Sequence, residues 1–315
     1  MLRIFYFFIT VPEYGRLNIW YTVMSKRKIL QLVAKGIVPN WDDPRLFTLT
    51  ALRRRGFPAE SIADFCEKLG VTQSQTIIDP AMLDACVRNT LNIGAPRTMA
   101  VMKPLNIRII NYDQYESMIG SMIDVLDYPG DETRGSHRIS APMTSSGGVI
   151  YIERSDYCDD QSQMRGYRRL TNEQSVGLRY LGLVISVQHV HRSDATGDVI
   201  SIDVTCCKAT ECPKKPKAFI HWVAADAARL CEVRNYSRLF TEKFPEENPA
   251  GYMACIDANS LVVNKGVMLD KYIDRPSVYT RYQFERTGYY VVDEDSTDDN
   301  LVFNRIVDLK EDPMK

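Results

Sequence analysis

The run Val23-Met24-Ser25-Lys26-Arg27-Lys28 is the stretch most able to do chemistry. It sets a lysine ammonium beside the free backbone N–H groups of a helix start, an arrangement that suits a phosphate or pyrophosphate. A cationic helix start is also a common solvated surface feature, so the run gains meaning only from its surroundings. Other candidates carry less. Cys206, Cys207 and Cys212 are the one dense group among eight cysteines. A zinc site would need CxxC-type spacing and a second ligand pair downstream, so reduced, neutral thiols are expected. His189 and His191 share one face of an expected strand, with no matched carboxylate nearby in the sequence, and no metal is expected there. The acidic run Asp293–Asp299 reads as a solvated loop between strands.

The elements that must position these residues change character near residue 97. Before it, Ser25 caps an expected helix carrying Ile29, Leu30, Leu32 and Val33, and Asp43-Pro44 opens a second with Leu46, Leu49 and Leu52. Pro58 starts a third that ends at Gly70, and Asp79-Pro80 starts a fourth, giving a compact helical unit. After Pro96 the segments Val149–Glu153, Leu181–His189, Val199–Thr205, Lys217–Val223, Tyr279–Phe284 and Tyr289–Val292 are rich in β-branched and aromatic residues. Ser193–Asp198 reads as a hairpin turn. Many short strands without helices between them point to antiparallel barrels or sandwiches, not to a parallel sheet.

The chain has 315 residues, 45% hydrophobic and 25% charged, with a net charge of −1. That is room for two or three domains, and any nucleic-acid partner must be met by local basic patches. Met1–Val11 is apolar and aromatic but far shorter than the ~20 residues of a membrane span. It reads as a strand without its partners, or as sequence foreign to the fold, and the chain reads as cytoplasmic.

With its flanks Glu13–Asn18 and Tyr21-Thr22, the Val23–Lys28 run resembles the KMSKS loop of class I aminoacyl-tRNA synthetases, in its glutaminyl form. The resemblance continues through Trp41–Arg45, Leu49–Gly56, Phe65-Cys66 with Gly70-Val71-Thr72, Ala95-Pro96-Arg97, Lys215–Val223, Tyr282–Arg286 and Leu301–Arg305. It covers roughly residues 13 to 315. The Phe-Cys and Gly-Val-Thr segments favour the glutaminyl branch over the glutamyl one, which shares the loop and the WDDPR run.

The resemblance implies an α+β multidomain chain. It would consist of a Rossmann remnant with the KMSKS-like loop (1–27, atypical over 1–11), a helical subdomain (28–97) and two antiparallel, anticodon-binding β-barrels. The proximal barrel would be discontinuous (98–156 and 229–315) and the distal one would span 157–228. In the complete enzyme, ATP with Mg2+ activates L-glutamine, which passes to tRNA(Gln). The resemblance puts Val23, Met24, Ser25, Lys26 and Arg27 at ATP, with Lys26 and Ser25 stabilising phosphate charge. It puts anticodon contacts on Arg97, Arg168, Arg169, Arg179, Gln283 and Arg286, and weaker backbone contacts on Arg53 and Arg45. Gly177 stands where bacterial relatives carry an arginine, which leaves the first anticodon base without that reader. No HIGH motif is present, so the expectation is a chain that binds tRNA(Gln) without charging it alone. The rival expectations are a glutamyl-type fragment, a stand-alone tRNA-binding protein, or a partner chain that supplies the missing half. No metal, DNA or membrane role is expected, and membership of a multi-synthetase assembly is not readable from the sequence.

Overall fold

A computed structural model describes residues 13–128, 130–159 and 166–309, and the stretch Met1–Val11 lies outside them. Four helices precede the β region: α1 (Lys26–Ala34), α2 (Leu49–Arg55), α3 (Ala59–Leu69) and α4 (Pro80–Gly94). α4 begins as its sequence dictates, with Pro80 in the first turn and the Asp79 carboxylate accepting from the Ala81 N–H. The second helix starts later than Asp43-Pro44 implied. Thr48 is its cap, accepting from the Ala51 N–H, because Asp43 is occupied by Arg45. At its far end Gly56 takes φ +96°, and a Cβ there would meet Val291 at 2.7 Å, so both backbone and packing require glycine.

The helices do not close a core of their own. Leu52, Phe57, Phe65, Leu83, Val87 and Leu91 pack with Tyr289, Val291, Ile306 and Val307 of the β region. α1 buries Ile29 and Leu32 against Leu239, Phe240 and Cys255. The helical unit is therefore seated on the β region through two separate apolar clusters.

Two seven-stranded sheets follow. The first runs in the order Phe219–Ile220, Val176–Leu178, Leu183–Arg192, Val199–Lys208, Pro104–Ile109, Val149–Glu153, Trp222–Ala224. Its two edge strands are separated in the chain by His221 alone, so the sheet curls until its edges nearly meet. The second runs Arg97–Thr98, Arg281–Phe284, Gly288–Val292, Leu301–Asp308, Ala228–Tyr236, Leu261–Asp270, Ala100–Val101. Here only Met99 separates the edges. The two seams touch, since the Trp222 N–H lies 3.5 Å from the Met99 sulfur. A fifth helix, α5 (Asp113–Ile119), and the hairpin Met122–Leu126/Ser136–Ser140 sit between two strands of the first sheet.

This arrangement corrects three expectations. Residues 104–153 pair with 176–224, so the expected grouping of 98–156 with 229–315 holds in the second sheet only for the short strands at 97–101. The sheets are mixed: Pro104–Ile109 runs parallel to Val199–Lys208, and Ala228–Tyr236 parallel to Leu301–Asp308. A strand's own residue alternation reports which face is buried, and partners that lie far along the chain leave no local signal. Finally, the acidic run is no simple solvated loop. Asp293 is fully buried and takes both Nε and Nη2 of Arg54 at 3.0 Å, plus the Asn304 amide.

Candidate nucleic-acid interface

Each sheet brings its chemistry-bearing residues to its closing seam. Arg97 lies opposite Gln283 in register, and its Nε donates to Gln283 Oε1 at 3.2 Å. Three residues on, Arg286 occupies a tight turn with φ +63°, a conformation that costs a non-glycine residue about 1–3 kcal/mol. Its two Nη groups donate to Asp156 Oδ2 and Oδ1, both at 2.7 Å. Arg286 Nη1 also lies 3.2 Å from His221 Nδ1. A guanidinium has only donors, so Nδ1 must accept and the His221 proton sits on Nε2, 3.6 Å from Glu153 Oε1.

From the loop before the Val176–Leu178 strand, Arg169 Nη1 reaches Asp156 Oδ1 at 3.2 Å. Arg179 pairs with Glu285, which also accepts from the Tyr180 hydroxyl at 2.5 Å. Thus Arg179 crosses from the first sheet to a carboxylate of the second, while Arg286 crosses the other way. Asp156, Glu285 and His221 are each no more than 2% exposed, whereas the arginines they hold reach the surface. This is a surface of oriented guanidinium forks over a buried acidic layer, suited to base edges and phosphates.

Arg168 stands apart, on an open cleft of about 700 Å³ with Tyr167, Gln174, Lys214, Lys215 and Lys217. The structure therefore brings together five of the six expected anticodon residues and puts the sixth on a neighbouring basic cleft. Gly177 is covered by the Phe219 ring, 2.3 Å from where a Cβ would be. The carboxylates that hold the site were missed. Glu285 lay inside a quoted motif, but Asp156 gives no sequence signal that it faces an arginine 130 positions away.

The loop at α1 is separate from this seam. Val23 is buried, Lys26 and Arg27 are exposed, and Ser25 is the cap residue without a side-chain cap bond. Among the described residues its hydroxyl and the first-turn N–H groups have no partner, which suits a ligand, and Lys26 is the next residue. Lys28 is committed to Glu246 at 3.2 Å. Arg53 is exposed, its guanidinium 5.0 Å from the Tyr279 ring centre. Arg45 is not open in this way. Asp43, Ser260 Oγ and the Ile37 carbonyl take its donors, giving it a holding role.

His191 has a carboxylate that the sequence did not reveal. Its Nε2 lies 2.9 Å from Asp203, which the Arg108 fork and His191 hold down to about 2. Among the described residues no group of three or more His, Cys, Asp or Glu could hold a metal ion. No described helix is long and apolar enough to cross a membrane. Burial pushes the Cys206 and Cys231 thiols each up to about 12.

Comparison with known proteins gives the same outline. Residues 5–93 match the catalytic domain of class I tRNA synthetases (E and Q), and residues 95–207 and 219–293 match two anticodon-binding domains of that family. The glutamine--tRNA ligase of Bos taurus is 49% identical over 306 residues, 96% of this chain and 38% of that protein. The probable glutamine--tRNA ligase of Caenorhabditis elegans is 50% identical over 304 residues, covering 95% and 37%. The Aliivibrio fischeri glutamine--tRNA ligase is 38% identical over 311 residues, covering 95% and 53%. The chain thus spans between about a third and a half of the relatives it matches, in their carboxy-terminal part. It belongs to the class I glutamyl- and glutaminyl-tRNA synthetase family.

Proposed function

We propose that this chain binds tRNA(Gln) and reads its anticodon at the seam between its two sheets. The observation that carries the reading is the pair of crossing arginine–carboxylate contacts, Arg179 to Glu285 and Arg286 to Asp156, beside Arg97 and Gln283. Single-stranded loops are read by splaying bases onto such forks, because Arg and Gln match base edges and a guanidinium plane can also stack. Five oriented polar side chains at two adjoining seams suit an unstacked loop better than a duplex groove. Arg168 and the lysines at 214, 215 and 217 extend the surface for the flanking backbone.

The glutaminyl branch is the reading supported by the relatives' names and by the Phe-Cys and Gly-Val-Thr segments. In the complete enzyme the reaction is glutamine activation by ATP, then transfer to tRNA(Gln). Val23–Arg27 is then the KMSKS-type loop that closes a Rossmann catalytic domain, and Lys26 with Ser25 faces the ATP phosphates and their Mg2+. These residues fit such a group, because among the described residues the cap hydroxyl and first-turn N–H groups have no partner and the exposed Lys26 is the first residue of the helix. Electrostatic help of this kind is worth roughly 3–4 kcal/mol per donor in a transition state. The setting proposed for this work is the cytoplasm.

Fluorescence anisotropy with labelled tRNA transcripts tests the reading. The chain should prefer the glutamine anticodon to a glutamate anticodon on the same tRNA body. Equal affinity, or preference for the glutamate anticodon, would overturn it.

A further inference from the structure

We infer that Asp156 is a positioning residue that couples the reading of two different anticodon bases. This rests on the anticodon function proposed above. Asp156 is fully buried at the end of the short turn Arg154–Asp156 that follows the Val149–Glu153 strand, and its backbone carbonyl accepts from Leu170 N–H at 3.0 Å. That bond fixes the Arg169 segment to it. Both oxygens of the Asp156 carboxylate are used. Oδ2 takes Arg286 Nη1 at 2.7 Å, while Oδ1 takes Arg286 Nη2 at 2.7 Å and Arg169 Nη1 at 3.2 Å.

The two guanidiniums come from different parts of the fold, Arg169 from the loop before the Val176–Leu178 strand and Arg286 from the turn after Arg281–Phe284, and meet on the same anion. Among the described residues each keeps spare donors: Arg286 retains Nε–H and one Nη2–H, and Arg169 retains Nε–H and its Nη2 pair. One negative charge is therefore shared by two positive readers. A base that draws Arg286 outward leaves more of the Asp156 charge to Arg169, and the converse holds, so the two subsites cannot respond independently. His221 restricts Arg286 further, because its accepting Nδ1 lies beside the same Nη1.

The experiment measures binding of the full chain to a tRNA with the glutamine anticodon and to transcripts substituted at each anticodon position. Arg169→Lys and Arg286→Lys each remove one planar fork, and each should relax discrimination at a single, different position. Asp156→Asn, of equal size, should relax discrimination at both of those positions by at least about tenfold, the scale of one bidentate contact. Three results would overturn the coupling: an equal loss for every transcript, which a structural role alone would give; relaxation at one position only; or both lysine variants acting on the same base. Should Asp156→Asn fail to fold, the Arg169→Lys/Arg286→Lys double variant decides. Losses that depart from additivity by more than about twofold support the coupling, and additive losses refute it. A wild-type chain that discriminates no anticodon would overturn the anticodon reading itself, and this inference with it.

Discussion

A Cβ at Gly177 would lie 2.3 Å from the Phe219 ring, a separation no real contact shows. Since Phe219 is 48% exposed, its ring can swing outward, but only by giving up the cover it provides over the seam strand Val176–Leu178. Gly177→Ala should therefore destabilise the chain by about 1–3 kcal/mol. In a Phe219→Ala background the same substitution should cost little, and a thermal-melting cycle of the four proteins checks it. Equal costs in both backgrounds would show that the ring is not the obstacle. At the loop, Lys26 is exposed and makes no ion pair among the described residues. Lys26→Ala should change stability by no more than about 0.5 kcal/mol, which makes it a clean probe of phosphate binding. A larger shift in denaturant midpoint would mean that Lys26 has a structural partner.

At the scale of elements, Arg54 holds α2 against the second sheet. It lies against Asp42, Asp293 and Asp295, and Asn304 donates to both the Arg54 carbonyl and the Asp293 carboxylate. Removing the guanidinium leaves a buried carboxylate whose one remaining cation among the described residues is Arg234, at 3.5 Å. Arg54→Met should cost about 3–5 kcal/mol, measurable by urea unfolding. Burial pushes the Asp293 carboxyl up, but hydrogen bonds from Arg54 and the Asp295 N–H outweigh it and leave it below the usual range. A depressed folded value contributes stability that is fully present above the unfolded pKa near ~4 and is lost as pH falls through the folded value. Asp293→Asn should thus be less stable at pH 6 and lose less stability than the wild type between pH 5 and 3. Parallel acid profiles would remove Asp293 from that titration. These elements also show what a sequence can disclose. Asp79-Pro80 and the Ser193–Asp198 turn were readable because cap and turn chemistry is local: Ser193 N–H reaches the Asp198 carbonyl at 2.9 Å. The buried fate of Asp293 was not, since an arginine 239 positions away decides it. The parallel pairs and the Asp156 contact were hidden for the same reason, whereas the arginines of the site were legible through their motifs.

At the scale of the whole molecule, a net charge of −1 means that no global field can draw in an RNA. Affinity must come from a few placed cations, each of which releases counterions when it meets a phosphate. Arg53 is the one arginine of the Arg53-Arg54-Arg55 run that is exposed, since Arg54 is tied to Asp293 and Arg55 donates to the Ile306 carbonyl. It stands on α2, its guanidinium over the Tyr279 ring, and is not among the residues that gather at the seam. Its contact should therefore be with backbone phosphate and blind to sequence. Arg53→Ala should weaken binding of every transcript by a similar factor and reduce the slope of log K against log salt by about 1. Arg45→Ala, whose donors are spent on Asp43, Ser260 and Ile37, should instead lower thermal stability. A titration series between 50 and 200 mM salt separates the two. An unchanged slope for Arg53→Ala would place the helical unit off the RNA and confine recognition to the two seams.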